Sequence, residues 1–270
     1  MTALVNTHTH TLLSGHGTGS VGEVVKAAQA AGICTLALTE HYPLSKAYDP
    51  HARLSMPQEH LEGYLADISR SQAAYPDMEV LSGCELDWLR EGEDRTFPAD
   101  AFKRFDVVLG SVHFVDGWAF DDPATRSRWD EEGPDSIWER YIDTWCEATL
   151  SSSPFTIMAH PDLAKKFGYY PSFDLAPRYR MMAQAAQEAG RMVEVNTSGL
   201  FYACAEMYPA PALLREFCRA GVPCSVGTDA HQPSHVGRAI EAAYRLMYEC
   251  GYREITFPTR KGDRRTLALD

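Results

Sequence analysis

Short apolar runs alternating with amphipathic stretches predict an α/β protein, a parallel barrel of seven or more strand–helix units related to the TIM fold. Three observations carry this reading. The units follow one another with no internal repeat, low-complexity segment or Gly/Ser-rich linker, so one domain over residues 1–270 is expected. Helical stretches end on Gly32, Gly190, Gly221 and Gly251, where a left-handed C-terminal cap belongs. The residues able to do chemistry gather where the predicted strands end, the rim that carries function in such barrels.

In chain order, residues 3–7 form a short apolar strand, and a helix over 22–31 follows with Ser20 as its cap. Residues 33–39 (ICTLALT) are continuously apolar, as in a strand covered on both faces. A helix over 57–74 has helical apolar spacing, and proline is tolerated in its first turn. Further strands are predicted at 79–83, 106–111, 155–159, 192–196 and 223–227, with a last one at 254–257. Helices at 135–150, 175–189, 210–220 and 236–250 separate the later strands.

With 45% hydrophobic and 23% charged residues, the 270-residue chain has the composition of an ordinary globular protein. No window approaches the ~20 apolar residues of a membrane span, and the start lacks a signal-peptide pattern, so a cytoplasmic location is expected. The seven cysteines form no CxxC pair and read as small buried apolar residues. A net charge of −12 argues against an extended nucleic-acid surface. An anionic small-molecule substrate would need local positive charge, which metal ions supply.

Seven of the ten histidines fall at strand ends: His8, His10, His16, His41, His113, His160 and His231. Glu40, Glu85 and Asp229 share those positions. Imidazoles with carboxylates able to bridge cations are what a multinuclear metal centre needs. Alternation along a strand puts His8 and His10 on one face, and Asp229 and His231 repeat the spacing. Glu85 ends an apolar strand (EVLSGCE), where a carboxylate is costly without a cationic partner. Glu40 is either a hydrogen-bond acceptor behind a ligand or solvent-facing. His51, His60 and His235 read as surface or capping residues.

The motifs HTHTLLSGHG, TEH, GCELDW, GSVH, AHPDL and GTDAH, in this order, resemble the polymerase-and-histidinol-phosphatase (PHP) superfamily of metal-dependent phosphoesterases. SVHFVDGWAFDDP, AHPDLAKKFG and NTSGL followed by EMYP are most similar to its bacterial histidinol-phosphatases. The resemblance implies a distorted (βα)7 barrel holding three divalent ions of zinc, manganese or iron. One ion would take His8, His10, Glu85 and Asp229; a second would share Glu85 and add His113 and His160; the third would take His16, His41 and His231. Many relatives carry Asp where this chain has Asn6, which keeps an acceptor but loses charge.

Ions so clustered suit in-line hydrolysis of a phosphate monoester by a metal-bridging hydroxide, with Asp229 and His231 orienting it or moving a proton. The implied substrate is L-histidinol phosphate, an intermediate of histidine biosynthesis. Candidate phosphate contacts are Lys165 and Lys166, for which a solvated lysine pair is the alternative, and, more weakly, Ser198 and Ser14. Trp118 and Glu206, with Phe114, Asp121 and Asp122, offer aromatic and acidic surface for a cationic leaving group, or ordinary packing. The competing readings are a PHP-type enzyme acting on another small phosphate or nucleotide, a metal amidohydrolase, and a non-enzymatic metal-binding module.

Overall fold

The computed structural model describes residues 3–90, 100–260 and 262–269. Strands β1 (Leu4–Asn6), β2 (Ile33–His41), β3 (Glu79–Asp87) and β4 (Val107–Ser111) come first. A small hairpin, β5 (Phe114–Val115) with β6 (Trp118–Ala119), follows. The main sheet resumes with β7 (Ile157–Met158), β8 (Met192–Asn196) and β9 (Cys224–Gly227). A second antiparallel pair, β10 (Glu254–Pro258) with β11 (Arg264–Ala268), ends the chain. The helices are α1 (Val21–Ala30), α2 (Leu61–Ala74), α3 (Ser127–Glu132), α4 (Pro134–Leu150), α5 (Ala176–Glu188), α6 (Pro211–Arg219) and α7 (Ile240–Cys250).

Seven parallel strands run in the order β1-β2-β3-β4-β7-β8-β9. The sheet then returns on itself. Thr7 N donates to Val226 O, Asp229 N to His8 O and His10 N to Ala230 O, each at 2.9 Å. These bonds join the ends of β9 and β1 into a nearly closed, distorted barrel and satisfy what would otherwise be sheet edges.

Alternation sorts each strand into two layers. Leu36, Leu38, Val80, Val108, Val193 and Val226 face outward and pack with helix residues such as Val24, Ile68, Trp138, Phe217 and Met247. Ala37, Leu81, Leu109, Ile157, Ala159 and Met192 face inward and form a separate apolar plug. Two residues further along the same inward rows come polar groups, Ser111 after Leu109 and Glu194 after Met192. The plug is therefore the dry floor of whatever sits in the barrel mouth.

Local signals worked where they were strong. Ser20 accepts from Glu23 N while Glu23 accepts from Ser20 N at 2.7 Å, a complete capping box for α1. Gly32, Gly190, Gly221 and Gly251 all have positive φ. The cysteines are all free. Among the described residues, no helix is long and apolar enough to cross a membrane.

Four expectations need correction. β2 and β3 run on to His41 and Asp87, because the ladder continues through Glu40↔Cys84 and His41↔Glu85. β5 and β6 were missed, although Asp116-Gly117 (φ 50° and 74°) is a two-residue hairpin turn with its usual residues. α7 starts at Ile240 rather than at 236, since a 3-10 turn at Pro233–His235 and a left-handed Ala239 (φ 61°) precede it. β11 was not anticipated because nearly all its side chains are exposed, leaving no apolar pattern to read.

Arg191 ties down the loop between α4 and β7. It is buried and donates to the carbonyls of Thr149, Phe155 and Ser151 at 2.6 Å and of Ser153 at 3.0 Å. Arg191→Met keeps the stem and orphans these acceptors. Urea titration should show a loss of about 3 kcal/mol or more, and a loss below about 1 kcal/mol would contradict this role.

Candidate metal centre

The strand ends deliver one carboxylate into a ring of imidazoles. Glu85 Oε2 lies 3.2 Å from His8 Nε2, 3.2 Å from His10 Nε2 and 3.1 Å from His41 Nδ1. Its Oε1 lies 2.8 Å from His160 Nε2 and 3.5 Å from His113 Nε2, and accepts from Ser111 Oγ at 2.5 Å. Asp229 Oδ1 approaches the same pair of nitrogens, at 3.2 Å from His10 Nε2 and 3.6 Å from His8 Nε2. His231 stacks on His10 and His16, and His16 adjoins His41.

Behind these atoms stands a layer that holds the rings by their far nitrogens. Glu194 Oε1 is 2.9 Å from His8 Nδ1, while its Oε2 accepts from His160 N and Asn196 Nδ2. Asp87 Oδ1 is 2.8 Å from His113 Nδ1. Glu40 Oε1 is 3.3 Å from His10 Nδ1, and its Oε2 accepts from Thr11 N and Thr11 Oγ1. Fully buried, Glu40 is thus the acceptor of the two alternatives open in the sequence. His16 Nδ1 lies 3.0 Å from the carbonyls of Ser14 and Arg53, and His231 Nδ1 3.0 Å from Asp229 O.

Asn6 has a different task from charge tuning. Its Oδ1 accepts from His8 N and Thr228 N, and its Nδ2 donates to Thr228 Oγ1 and Val236 O at 2.7 Å. A carboxylate could not make the last of these bonds. The amide latches β1 to the segment after β9.

Burial and charge work against each other throughout. Burial pushes the His8 imidazole down, but Glu194, Glu85 and Asp229 together raise it to about 10. For His113, burial is likewise outweighed by Asp87 and Glu85, again to about 10. His10 is raised well above the usual histidine range by Asp229, Glu40 and Glu85 despite its burial. Glu85 and Asp229, which burial alone would push up, are held far below the carboxylate range by these imidazoles. Burial and the neighbouring cationic rings keep His41 well below the usual value and His231 at about 3. Without cations, protons on His8, His10 and His113 neutralise the carboxylates.

Three buried atoms of the centre have no hydrogen-bond partner among the described residues: Glu85 Oε2, His41 Nδ1 and His231 Nε2. Orphans of this kind are costly unless a cation is their partner. Donor atoms also converge in overlapping groups, His8–His10–Asp229, His8–Glu85–His160, His41–Glu85–His113 and His10–His41–His231. The residues fit several metal ions, which on binding would displace those protons.

A cavity of about 490 Å³ opens over the cluster. Lys166 and Ser198 line it, Lys166 paired with Asp121 at 2.9 Å and Ser198 Oγ donating to Asp229 Oδ2 at 3.3 Å. Lys165 does not line it: the 3-10 turn Leu163–Lys165 turns this neighbour inward. There its ammonium is fully buried against Glu206 Oε2 (2.7 Å), Met207 O (2.8 Å) and Asp162 Oδ2 (3.1 Å). Glu206 is thereby spent as well. Trp118 is buried in the hairpin, bonded to Thr125 and covered by Arg128, and Ser14 caps a local turn. His235, expected at the surface, is part of the cavity wall, as is Arg238. Sequence reading also missed Glu194 and Asp87, although each carboxylate interrupts an apolar strand (MVEVN, GCELDW).

A parallel barrel whose strand ends bring these donors together is a polynuclear metal-binding barrel. The chain belongs to the PHP domain family, whose model matches residues 6–198. It is 34% identical to a probable histidinol-phosphatase of Deinococcus radiodurans, over 97% of this chain and 99% of that one. The histidinol-phosphatase of Bacillus subtilis is 27% identical over 87% and 96%. Among solved structures, the fold matches the histidinol phosphate phosphatase of Lactococcus lactis, determined with zinc, L-histidinol and phosphate. That match has a TM-score of 0.78 at 19% identity and covers 97% of this chain and 98% of that one.

If Glu194 orients His8, Glu194→Gln should weaken metal binding roughly 10- to 100-fold with the fold intact, measured by competition with a chelator. Unchanged affinity would remove Glu194 from the centre.

Proposed function

We propose that the protein, acting as one domain over its 270 residues, is a metal-dependent phosphomonoesterase that hydrolyses L-histidinol phosphate to L-histidinol and phosphate. The observation that carries this reading is the shared carboxylate: both oxygens of Glu85 face imidazoles, beneath a cavity whose wall also carries Lys166 and Arg238. The full-length similarity to named histidinol-phosphatases supports the substrate.

His8, His10, Glu85 and Asp229 would hold one divalent ion, Glu85 with His113 and His160 a second, and His16, His41 and His231 a third. Nitrogen and oxygen donors of this kind suit zinc, manganese or iron. When bound, such ions supply positive charge to phosphoryl oxygens and acidify water towards neutral pH. The chain's own side chains do the rest. Lys166 Nζ and Ser198 Oγ, both in the cavity wall, bind the phosphoryl group. Asp229 orients the attacking water, and His231, with Nδ1 on Asp229 O and Nε2 left for the third ion, would hold that ion beside it rather than move a proton itself.

A second cavity of about 270 Å³ shares His113, Asp121 and Lys166 with the first and adds Phe114 and Asp122. Asp121 is held below the usual carboxylate range, by Lys166 and His113 against its burial, and so stays ionised. Ring and carboxylates together suit a leaving group that carries an ammonium and an imidazole. The small plain monoesters lack such features.

Steady-state kinetics on metal-replete protein tests this. The value of kcat/KM for L-histidinol phosphate should exceed that for generic phosphomonoesters at least ~10-fold, the discrimination that about 1.4 kcal/mol provides. Equal or poorer use of histidinol phosphate defeats the substrate, and no turnover of any monoester defeats the phosphatase reading.

A further inference from the structure

Lys166 and Arg238 are the ammonium and guanidinium groups in the wall of the 490 Å³ cavity, and they differ in one respect. Lys166 is already matched by a carboxylate, Asp121 at 2.9 Å. Arg238 is not: among the described residues no carboxylate lies within ion-pair distance of its guanidinium, and its one side-chain hydrogen-bond contact is His235 Nε2 at 3.4 Å from Nη1. The chain carries a net charge of −12, so carboxylates are plentiful. A half-buried guanidinium left without one, beside Asp229 and Ser198 in an otherwise acidic mouth, has its donors free for an anion.

The position is also built. Arg238 O accepts from Thr197 Oγ1 at 2.8 Å, which fixes its backbone to the turn after β8. The guanidinium carbon lies over the Phe201 ring, 3.0 Å from its centroid. A ring face attracts the cation and restrains it without using any of its N–H donors, of which only one, on Nη1, meets a neighbour among the described residues, His235. The next residue, Tyr202, does the same for the other cation, with Lys166 Nζ 4.9 Å from its ring. Phe201 and Tyr202, about half exposed at 45% and 44%, both line the cavity and meet its two cations there.

We propose that Arg238, held by Phe201, is a phosphoryl-binding residue of this site, contacting phosphate oxygens through a pair of N–H donors. This rests on the phosphatase reading above and names a residue for it. A planar fork matches two phosphate oxygens, whereas Lys166 acts as a point charge already shared with Asp121.

The test is calorimetric titration of inorganic phosphate into the metal-loaded protein and its Arg238→Met and Arg238→Lys variants. Methionine keeps the stem on Phe201 and removes the charge. We expect the phosphate Kd to rise ~10- to 100-fold in Arg238→Met and less in Arg238→Lys, with metal content and Tm unchanged. KM for a phosphomonoester should rise in parallel. Equal Kd in wild type and Arg238→Met overturns the proposal, as does a wild type that binds no phosphate. Loss of metal or a fall in Tm that accompanies the weaker binding marks Arg238 as a structural brace and overturns it too. A wild type that binds phosphate through Arg238 yet shows no preference for histidinol phosphate leaves this assignment standing and defeats only the substrate.

Discussion

Glu85 is 1% exposed and lies within 2.8 to 3.5 Å of nitrogens from His8, His10, His41, His113 and His160. An ionised carboxylate below the water line of a barrel is expensive unless positive charge surrounds it. One hydroxyl, from Ser111, cannot offset that cost. The mouth must therefore hold protons or cations, and the imidazoles around Glu85 accept either. Most other features of the site follow from supplying that charge and keeping it in place. The apolar plug beneath, which includes Leu81 and Leu109, excludes water and so strengthens every one of these interactions.

Glu194 shows how far the constraint reaches. It grips His8 through one oxygen and the His160 backbone through the other, so strands β1, β7 and β8 share one anchor. That requires close approach at Gly227, where an added Cβ would lie 1.9 Å from Glu194 Oε1 and 2.5 Å from His8 Cβ. The backbone itself is forced nearby: His160 (φ 27°) and Asp229 (φ 51°) occupy left-handed conformations that cost of order 1–3 kcal/mol each. Asp229 N is held to His8 O and His160 N to Glu194, so the fold over-determines both residues. Strain of this kind collects where side chains must be aimed rather than merely buried.

Much of this was legible from residue type and position. Apolar runs and terminal glycines carry strong local signals, and they located all seven barrel strands and the glycine-capped helix ends, though not where β2 and β3 stop. His8 and His10 could be paired from a two-residue spacing alone. Lys165 and Lys166 could not be told apart, because a one-residue difference on a 3-10 turn separates a buried ion triad from a cavity wall, and only tertiary packing decides it. Trp118 looked like a binding aromatic because the Asp116-Gly117 hairpin that buries it was not recognised. Arg238 was invisible for a similar reason. Its partner ring, Phe201, arrives from a different strand–helix unit, and nothing local to either residue announces the stack.

A polynuclear centre of this kind requires Glu85 to be shared between two ion sites rather than to serve as a lone buried acid. Metal content per chain of Glu85→Gln, measured on folded protein beside the wild type, tests that most directly. About three ions are expected in the wild type and no more than one, at His16, His41 and His231, in the variant. A variant that retained the full complement of metal would contradict the sharing.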